Sequence, residues 1–92
     1  METRNTILLI EDDQDQIFLY ETKFKLEGFH FLSATTGSAG IALARTEHPD
    51  LILLDVILNE EDGIEILKQL KADAITKNIP VIVFSNLDKE QT

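Results

Sequence analysis

Three short apolar runs limit what this chain can fold into. They are residues 7–10, 51–54 and 81–84, and none of them alternates apolar with polar side chains. Continuous apolar runs of this length are typical of strands that are buried on both faces, as in a parallel sheet. A fourth segment, residues 29–33, contains His30 and is less uniform, which is typical of an edge strand.

Helical patterns lie between these runs. Residues 14–27 carry apolar side chains at helical spacing, and Gly28 follows where a helix C-terminal cap belongs. Residues 38–46 are rich in alanine, and Asp62 is placed to cap a third helix that extends to about Ala72. In this third helix we expect three residues to face inward: Ile64, Leu67 and Leu70.

The resulting order of elements is β-α-β-α-β-α-β, which indicates an α/β fold. This alternation favours right-handed crossovers and a parallel sheet with helices on both faces. In such sheets, functional sites form at the carboxyl ends of the strands. The chain has 92 residues, and we expect residues 1–92 to form one small domain.

Composition excludes several functional classes. The formal net charge is −9, and a surface of this sign repels nucleic acid backbones. The chain has no cysteine, which excludes disulfides and zinc–thiolate sites. The apolar run near the N-terminus is too short for a signal-peptide core or a membrane span. We therefore expect a cytoplasmic protein that binds neither nucleic acid nor membrane.

Acidic residues cluster where two of the predicted strands end. Glu11, Asp12 and Asp13 follow the first run, and Asp55 follows the run at residues 51–54. These carboxylates would meet at one edge of the sheet and repel each other unless a cation neutralised them. Oxygen ligands at this density favour Mg²⁺. A carboxylate beside Mg²⁺ can attack a phosphoryl group, whose oxygens a strand-end serine can then hydrogen-bond.

Each of these residues also has a purely structural interpretation. Asp55 alone could cap a helix or lie in a solvated loop, and Ser85 could be an ordinary strand-end hydroxyl. The carboxylates of Glu11 and Asp12 could complement the positive end of the next helix, although Asp13 is better placed to do so. Composition and spacing alone leave these alternatives open.

Taken together, the segments resemble the receiver domains of two-component response regulators. The matching segments are residues 7–13, 49–55, 62–63 and 79–85, and their joint occurrence in this order is highly specific. The resemblance implies a flavodoxin-like sheet with strand order 2-1-3-4. It also implies that the family's fifth strand and last helix are missing after Thr92, so that we expect a C-terminally truncated domain without the fifth-strand lysine.

The resemblance also implies a role for individual residues. Asp55 matches the phosphoacceptor, and Ser85 matches the hydroxyl that hydrogen-bonds the phosphoryl group. Asp12 would bind Mg²⁺ directly and Glu11 through water, while Ile57 would offer its backbone carbonyl to the metal. The implied partner is a histidine kinase or a phosphotransfer protein, with phosphohistidine as the donor.

The sequence departs from the family pattern in two places. Asn59 follows Leu58 where the family often has Met-Pro, and Asn86 stands where a small residue is usual. An alternative class, the haloacid-dehalogenase-like phosphatases, needs a second aspartate where this chain has Ile57. We therefore do not expect an enzyme.

A competing function is a fragment that does not signal. Without a fifth strand, residues 79–84 would form a bare apolar edge, and the side of the first helix with Phe18 or Leu19 would be uncovered. Edges and patches of this kind drive association. Such a fragment would self-associate and keep the acidic site without efficient phosphotransfer.

Overall fold

The computed structural model describes residues 4–58 and 61–85. These residues form a parallel sheet, three helices and a short antiparallel pair of strands. The sheet strands are β1 (Thr6–Ile10), β2 (His30–Ala34), β3 (Leu51–Asp55) and β6 (Val81–Phe84). The helices are α1 (Gln14–Leu26), α2 (Gly37–Glu47) and α3 (Gly63–Ala72). The short pair consists of β4 (Ile57–Leu58) and β5 (Glu61–Asp62), which lie between β3 and α3.

The strand order in the sheet is β2-β1-β3-β6, and all three pairings are parallel. This confirms the predicted order 2-1-3-4, with β6 as the fourth strand of the sheet. The chain leaves β1 toward β2 and then returns to β3 on the opposite side of β1. The carboxyl ends of β1 and β3 therefore form the switch point at which open α/β sheets place their sites.

The sheet has two unlike faces. Helices α2 and α3 cover one face, called here the α2/α3 face, and helix α1 packs on the other, called the α1 face. Because consecutive side chains of a strand point to opposite faces, β1 and β3 each supply both. The buried core of the α2/α3 face consists of Leu8, Ile10, Ala44, Ile52, Leu54, Leu58, Ile66 and Leu70. The buried core of the α1 face consists of Ile7, Leu9, Ile17, Phe31 and Leu53.

The helix ends follow the capping chemistry of their sequences. Asp13 caps α1, and its carboxylate accepts hydrogen bonds from two backbone N–H groups of the first turn. Gly28 follows α1 with a φ of 93°, a conformation that favours glycine. Thr36 caps α2, and Asp62 caps α3 as predicted, since its carboxylate accepts from the Ile64 N–H at 2.9 Å.

Two local predictions need correction. Ile64 was expected to face inward but is 43% exposed, whereas Ile66 is buried in its place. The reason is that α3 starts at Gly63, which packs directly against the backbone of Val56, so the inward stripe continues through Ile66 and Leu70. Strand β2 begins one residue later than predicted, at His30.

Strand β6 is less buried than its apolar sequence suggests. Within the described part of the chain it pairs with β3 alone, and its residues Ile82 and Val83 are exposed. The departures at Asn59 and Asn86 lie outside the described residues. Among the described helices, none combines the length and the apolar character that crossing a membrane requires.

Candidate functional site

Three carboxylates meet at the switch point of the sheet. One oxygen each from Glu11, Asp12 and Asp55 lies within 4.8 Å of the other two. Glu11 and Asp55 are fully buried, and Asp12 is partly buried. The structure thus brings together the three side chains that the sequence predicted to converge.

The phosphoacceptor candidate, Asp55, is the last residue of β3. The strand is held between β1 and β6, with Leu54 paired to Ile10 and Asp55 paired to Phe84. The Ile57 backbone N–H donates to Asp55 Oδ1 at 2.9 Å, which orients the carboxylate. Asp55 is therefore fixed by the sheet on its backbone side and by the following turn on its carboxylate side.

The acidic residues after β1 divide into two groups. The Glu11 N–H donates to the carbonyl of Ala34 at 3.0 Å, which continues the pairing of β1 with β2. Glu11 Oε1 accepts from the Asp13 N–H at 3.1 Å. Asp13 itself turns to α1 and accepts from the Asp15 N–H at 2.9 Å. As predicted, Asp13 caps the helix while Glu11 and Asp12 lie at the site.

The two remaining candidates lie at the same edge of the sheet. Ile57 opens β4, and its register partner is Asp62 in β5. Ser85 directly follows β6 and is exposed. The Phe84 carbonyl accepts from the Val56 N–H at 2.9 Å, so Ser85 continues the chain from the residue that pairs with Asp55.

The segment between β3 and α3 folds back tightly on the site. The Gly63 N–H donates to the Val56 carbonyl at 3.1 Å. A Cβ at Gly63 would lie 2.7 Å from the carbonyl oxygen of Asp55 and 2.9 Å from the carbonyl carbon of Val56. A side chain does not fit there, so a glycine is required for close approach and not for an unusual φ.

Sequence reasoning missed one residue of this region. Glu61 Oε1 accepts from the Gly37 N–H, the first of α2, at 2.9 Å. The two residues are 24 positions apart, and no local pattern connects them. In the structure, the Gly37 N–H donates to this carboxylate from within the same chain.

Comparison with known proteins identifies the family. Residues 7–92 match the sequence profile of the response regulator receiver domain. The chain belongs to the receiver domain family. Protein PilH of Pseudomonas aeruginosa is 34% identical over 84 residues, which cover 91% of this chain and 69% of that protein. Response regulator PleD of Caulobacter vibrioides is 35% identical over 82 residues, which cover 89% of this chain and 18% of that protein.

Solved structures show the same receiver fold. The N-terminal domain of a response regulator receiver protein from Methanoculleus marisnigri JR1 superposes with a TM-score of 0.84 at 30% identity, over 88% of this chain and 66% of that one. A receiver domain of a sensor histidine kinase from Pseudomonas aeruginosa PAO1 has a TM-score of 0.84 at 24% identity, over 96% of this chain and 75% of that one. That domain was crystallised with a magnesium ion coordinated in its active-site cleft. This chain thus spans about two thirds of some relatives and less than a fifth of others.

The donor set of this receiver domain suits Mg²⁺. The ion takes hard oxygen ligands and is usually bound through one or two carboxylates while it keeps several waters. Three carboxylates within 4.8 Å, of which one is partly exposed, offer such ligands together with access for water. A cation also relieves the repulsion between buried like charges. The residues present therefore fit the metal.

Proposed function

We propose that this receiver domain accepts a phosphoryl group on Asp55 from a phosphohistidine of a histidine kinase or phosphotransfer protein, with Mg²⁺ as cofactor. The observation that carries the proposal is the convergence of Glu11, Asp12 and Asp55 at the switch point of the sheet. Membership of the receiver family supports the same conclusion. Asp55 is a reactant that becomes modified, so we propose no enzymatic activity on a separate substrate.

The transfer needs one bond to form and one to break. A carboxylate oxygen of Asp55 attacks phosphorus, the P–N bond of the donor breaks, and its electron pair returns to the imidazole, which takes up a proton. The Ile57 N–H on Asp55 Oδ1 keeps the carboxylate in a fixed orientation during the approach. When bound, Mg²⁺ would offset the charge on the phosphoryl oxygens.

The remaining site residues take supporting roles in this proposal. Asp12, the partly exposed member of the cluster, would bind the cation directly, and the buried Glu11 would act through water. The backbone carbonyl of Ile57 would be a further metal ligand. Ser85, exposed at the end of β6, donates its hydroxyl to a phosphoryl oxygen of the product. We place the protein in the cytoplasm, where histidine kinases present their phosphohistidine, and we propose no contact with nucleic acid or membrane.

Intact mass after incubation with Mg²⁺ and a small acyl phosphate tests the proposal. We expect the mass of one added phosphoryl group on the chain and none on Asp55→Asn, which retains the shape but not the nucleophile. Asp15→Asn, an exposed position in the first turn of α1, is the matched control and should still be labelled. No labelling of a folded chain, or equal labelling of Asp55→Asn, would refute the assignment.

A second candidate, self-association of the 92-residue chain, is favoured by the exposure of apolar residues. Phe18 on α1 is 69% exposed and Ile82 on β6 is 53% exposed, and β6 is an edge strand of the sheet that the described residues form. Edge strands and apolar patches recruit further copies of a chain. We propose a dimer that joins two copies through β6 and the adjoining α1 face. A single monomeric species in light scattering at tens of micromolar, roughly the usual working range, would contradict it.

A further inference from the structure

The short pair of strands beside the site is fastened to helix α2 by one carboxylate. Glu61 Oε1 accepts from the Gly37 N–H at 2.9 Å. Gly37 is the first residue of α2, so its N–H has no partner within the helix and needs an acceptor from outside. A carboxylate is a favourable acceptor there, because the helix dipole places positive charge at this end.

The contact between Glu61 and α2 is tightly packed. Gly37 is buried, and a Cβ at this position would meet the side chains of Glu61 and Ile66. The carboxylate can therefore reach the helix only because residue 37 has no side chain. The contact depends on both residues, and Glu61 has little freedom to take another position.

Anchoring Glu61 also restrains the backbone of the segment that follows Asp55. In the β4–β5 pair, Glu61 is the register partner of Leu58, and Asp62 is the partner of Ile57. The opposite side of the segment is tied to β3 through Asp55 and Val56. Leu58 is buried in the core of the α2/α3 face, and its register partner Glu61 is bound to α2.

We propose that Glu61 is a positioning residue of the cation site, which holds the β4–β5 pair against α2 so that the Ile57 carbonyl stays in place for Mg²⁺. The inference rests on the proposed function, since it needs a cation at Glu11, Asp12 and Asp55. Glu61 is not itself a member of that carboxylate cluster. It acts through the backbone and not by adding a negative charge.

Two variants separate position from charge. Glu61→Ala removes the acceptor and should weaken Mg²⁺ binding by about three- to tenfold. This loss corresponds to the part of the free energy of one charge-assisted hydrogen bond that is transmitted to the cation site. Glu61→Gln keeps an oxygen acceptor and should retain most of the affinity. Glu65→Ala, in the exposed first turn of α3, removes the same charge and should leave the affinity unchanged. Calorimetric titration of Mg²⁺ into each variant of the 92-residue chain gives these values.

The rate of amide hydrogen exchange at Gly37 distinguishes a positioning role of Glu61 from a purely structural role. Coupling between two sites is reciprocal. If Glu61 couples cation binding to α2, Mg²⁺ should slow hydrogen exchange of the Gly37 N–H in the wild type. The factor should equal the loss of Mg²⁺ affinity that Glu61→Ala causes. In Glu61→Ala this N–H should exchange rapidly whether or not Mg²⁺ is present. NMR at Gly37 measures both effects in chains whose spectra show that they are folded.

The outcomes distinguish this inference from the proposed function. Mg²⁺ binding that depends on Asp55 but is equal in wild type and Glu61→Ala would overturn the role of Glu61 and leave the proposed function intact. Equal losses in Glu61→Gln and Glu61→Ala would also overturn it, since charge and not position would then matter. A wild type that does not bind Mg²⁺ at all would overturn both.

Discussion

The two faces of the sheet are built from the same strands but differ in how completely they are covered. On the α2/α3 face, two helices seal Leu8, Ile10, Ile52 and Leu54 completely from solvent. On the α1 face, the described residues supply one helix, and the contacts toward its margin are aromatic. Phe24 stacks on Phe31 of β2, and Tyr20 contacts Phe84 of β6 with 6.0 Å between ring centroids.

This difference in coverage indicates that one face mainly supports stability and that the other can also support association. The α2/α3 face carries the tightly packed core, and it also receives Leu58 from the pair of strands beside the site. On the α1 face, Phe18 and Ile82 are exposed to solvent. Exposed apolar side chains of this kind are available to bind another protein chain. We therefore expect core substitutions on the first face to cost the most stability, and substitutions of the exposed residues on the second face to change association.

Adjacent leucines of β3 provide the most sensitive test. Leu54 is fully buried on the α2/α3 face, and Leu53 is 8% exposed on the α1 face. We expect Leu54→Ala to lower the free energy of unfolding by about 3–5 kcal/mol and Leu53→Ala by about 2–3 kcal/mol, because a fully enclosed cavity relaxes least. Urea unfolding at matched m-values measures both. Equal losses would mean that α1 packs as tightly as α2 and α3.

Gly63 should give the next largest effect. A Cβ there would press on the backbone of Asp55 and Val56, which cannot move without disturbing β3. We expect Gly63→Ala to destabilise the chain by about 1–3 kcal/mol through overpacking, despite the better helix propensity of alanine. Thermal unfolding measures the loss. Ser38→Ala, at an exposed position in the first turn of α2, is a control that should change little. A stabilised Gly63→Ala would show that the backbone has room to yield.

The carboxylate site was predictable because its signal is local in the sequence. Acidic residues that directly follow buried strands must gather at one edge once the sheet is parallel, and Glu11, Asp12 and Asp55 do so. The contact from Glu61 to Gly37 was not predictable, because it depends on the three-dimensional approach of α2 to the β4–β5 pair. The roles of Ile57 and Ser85 stay predictions, supported by their position at the same edge.

The fold was predictable in its order and less so in its details. Continuous apolar runs and helical periodicity gave all four sheet strands and three helices, with ends displaced by about one residue. The inward face of α3 was misjudged, since the close approach of Gly63 to Val56 rotates the helix toward Ile66. The β4–β5 pair was missed because two-residue strands leave no periodicity to detect.

The exposed residues of the α1 face should affect association and hardly affect stability. Ile82→Lys places a charge on β6, an edge strand among the described residues, and charges on edge strands commonly prevent edge pairing. We expect the free energy of unfolding to change by no more than about 0.5 kcal/mol, while light scattering shifts toward the monomer. Thr22→Lys, at an exposed position of α1, adds the same charge and should leave association unchanged. If Thr22→Lys dissociates the chain equally, charge and not the apolar surface controls assembly.

Two surface ion pairs of the described residues also differ between the two faces of the sheet. Lys25 pairs with Glu21 one turn earlier within α1, so this pair joins α1 to no other element. Arg45 of α2 pairs with Asp73, the residue that ends α3, and thus ties the two helices of the α2/α3 face together. We expect the pair of Arg45 and Asp73 to contribute to the pH dependence of the free energy of unfolding.

The smallest expected effect comes from Asp73. The Ile75 N–H and then Arg45 hold the pKa of the Asp73 carboxyl below its usual value, against a partial loss of hydration that raises it. A lowered pKa contributes stability above the unfolded value of 3.8, and this contribution is lost as the pH falls through the folded pKa. Asp73→Asn should therefore be slightly less stable than wild type at pH 7, and the gap should close below about pH 4. Urea unfolding across this range measures it.

Arg45→Gln distinguishes the two causes of the lowered pKa. Because the Ile75 N–H also lowers this pKa, removing Arg45 should reduce the pH-dependent gap without abolishing it. A gap that disappears in the Arg45→Gln background would make the link between α2 and α3 the dominant contribution. A gap that is unchanged would show that Asp73 serves only to close the end of α3, and that packing alone holds the two helices on their face of the sheet.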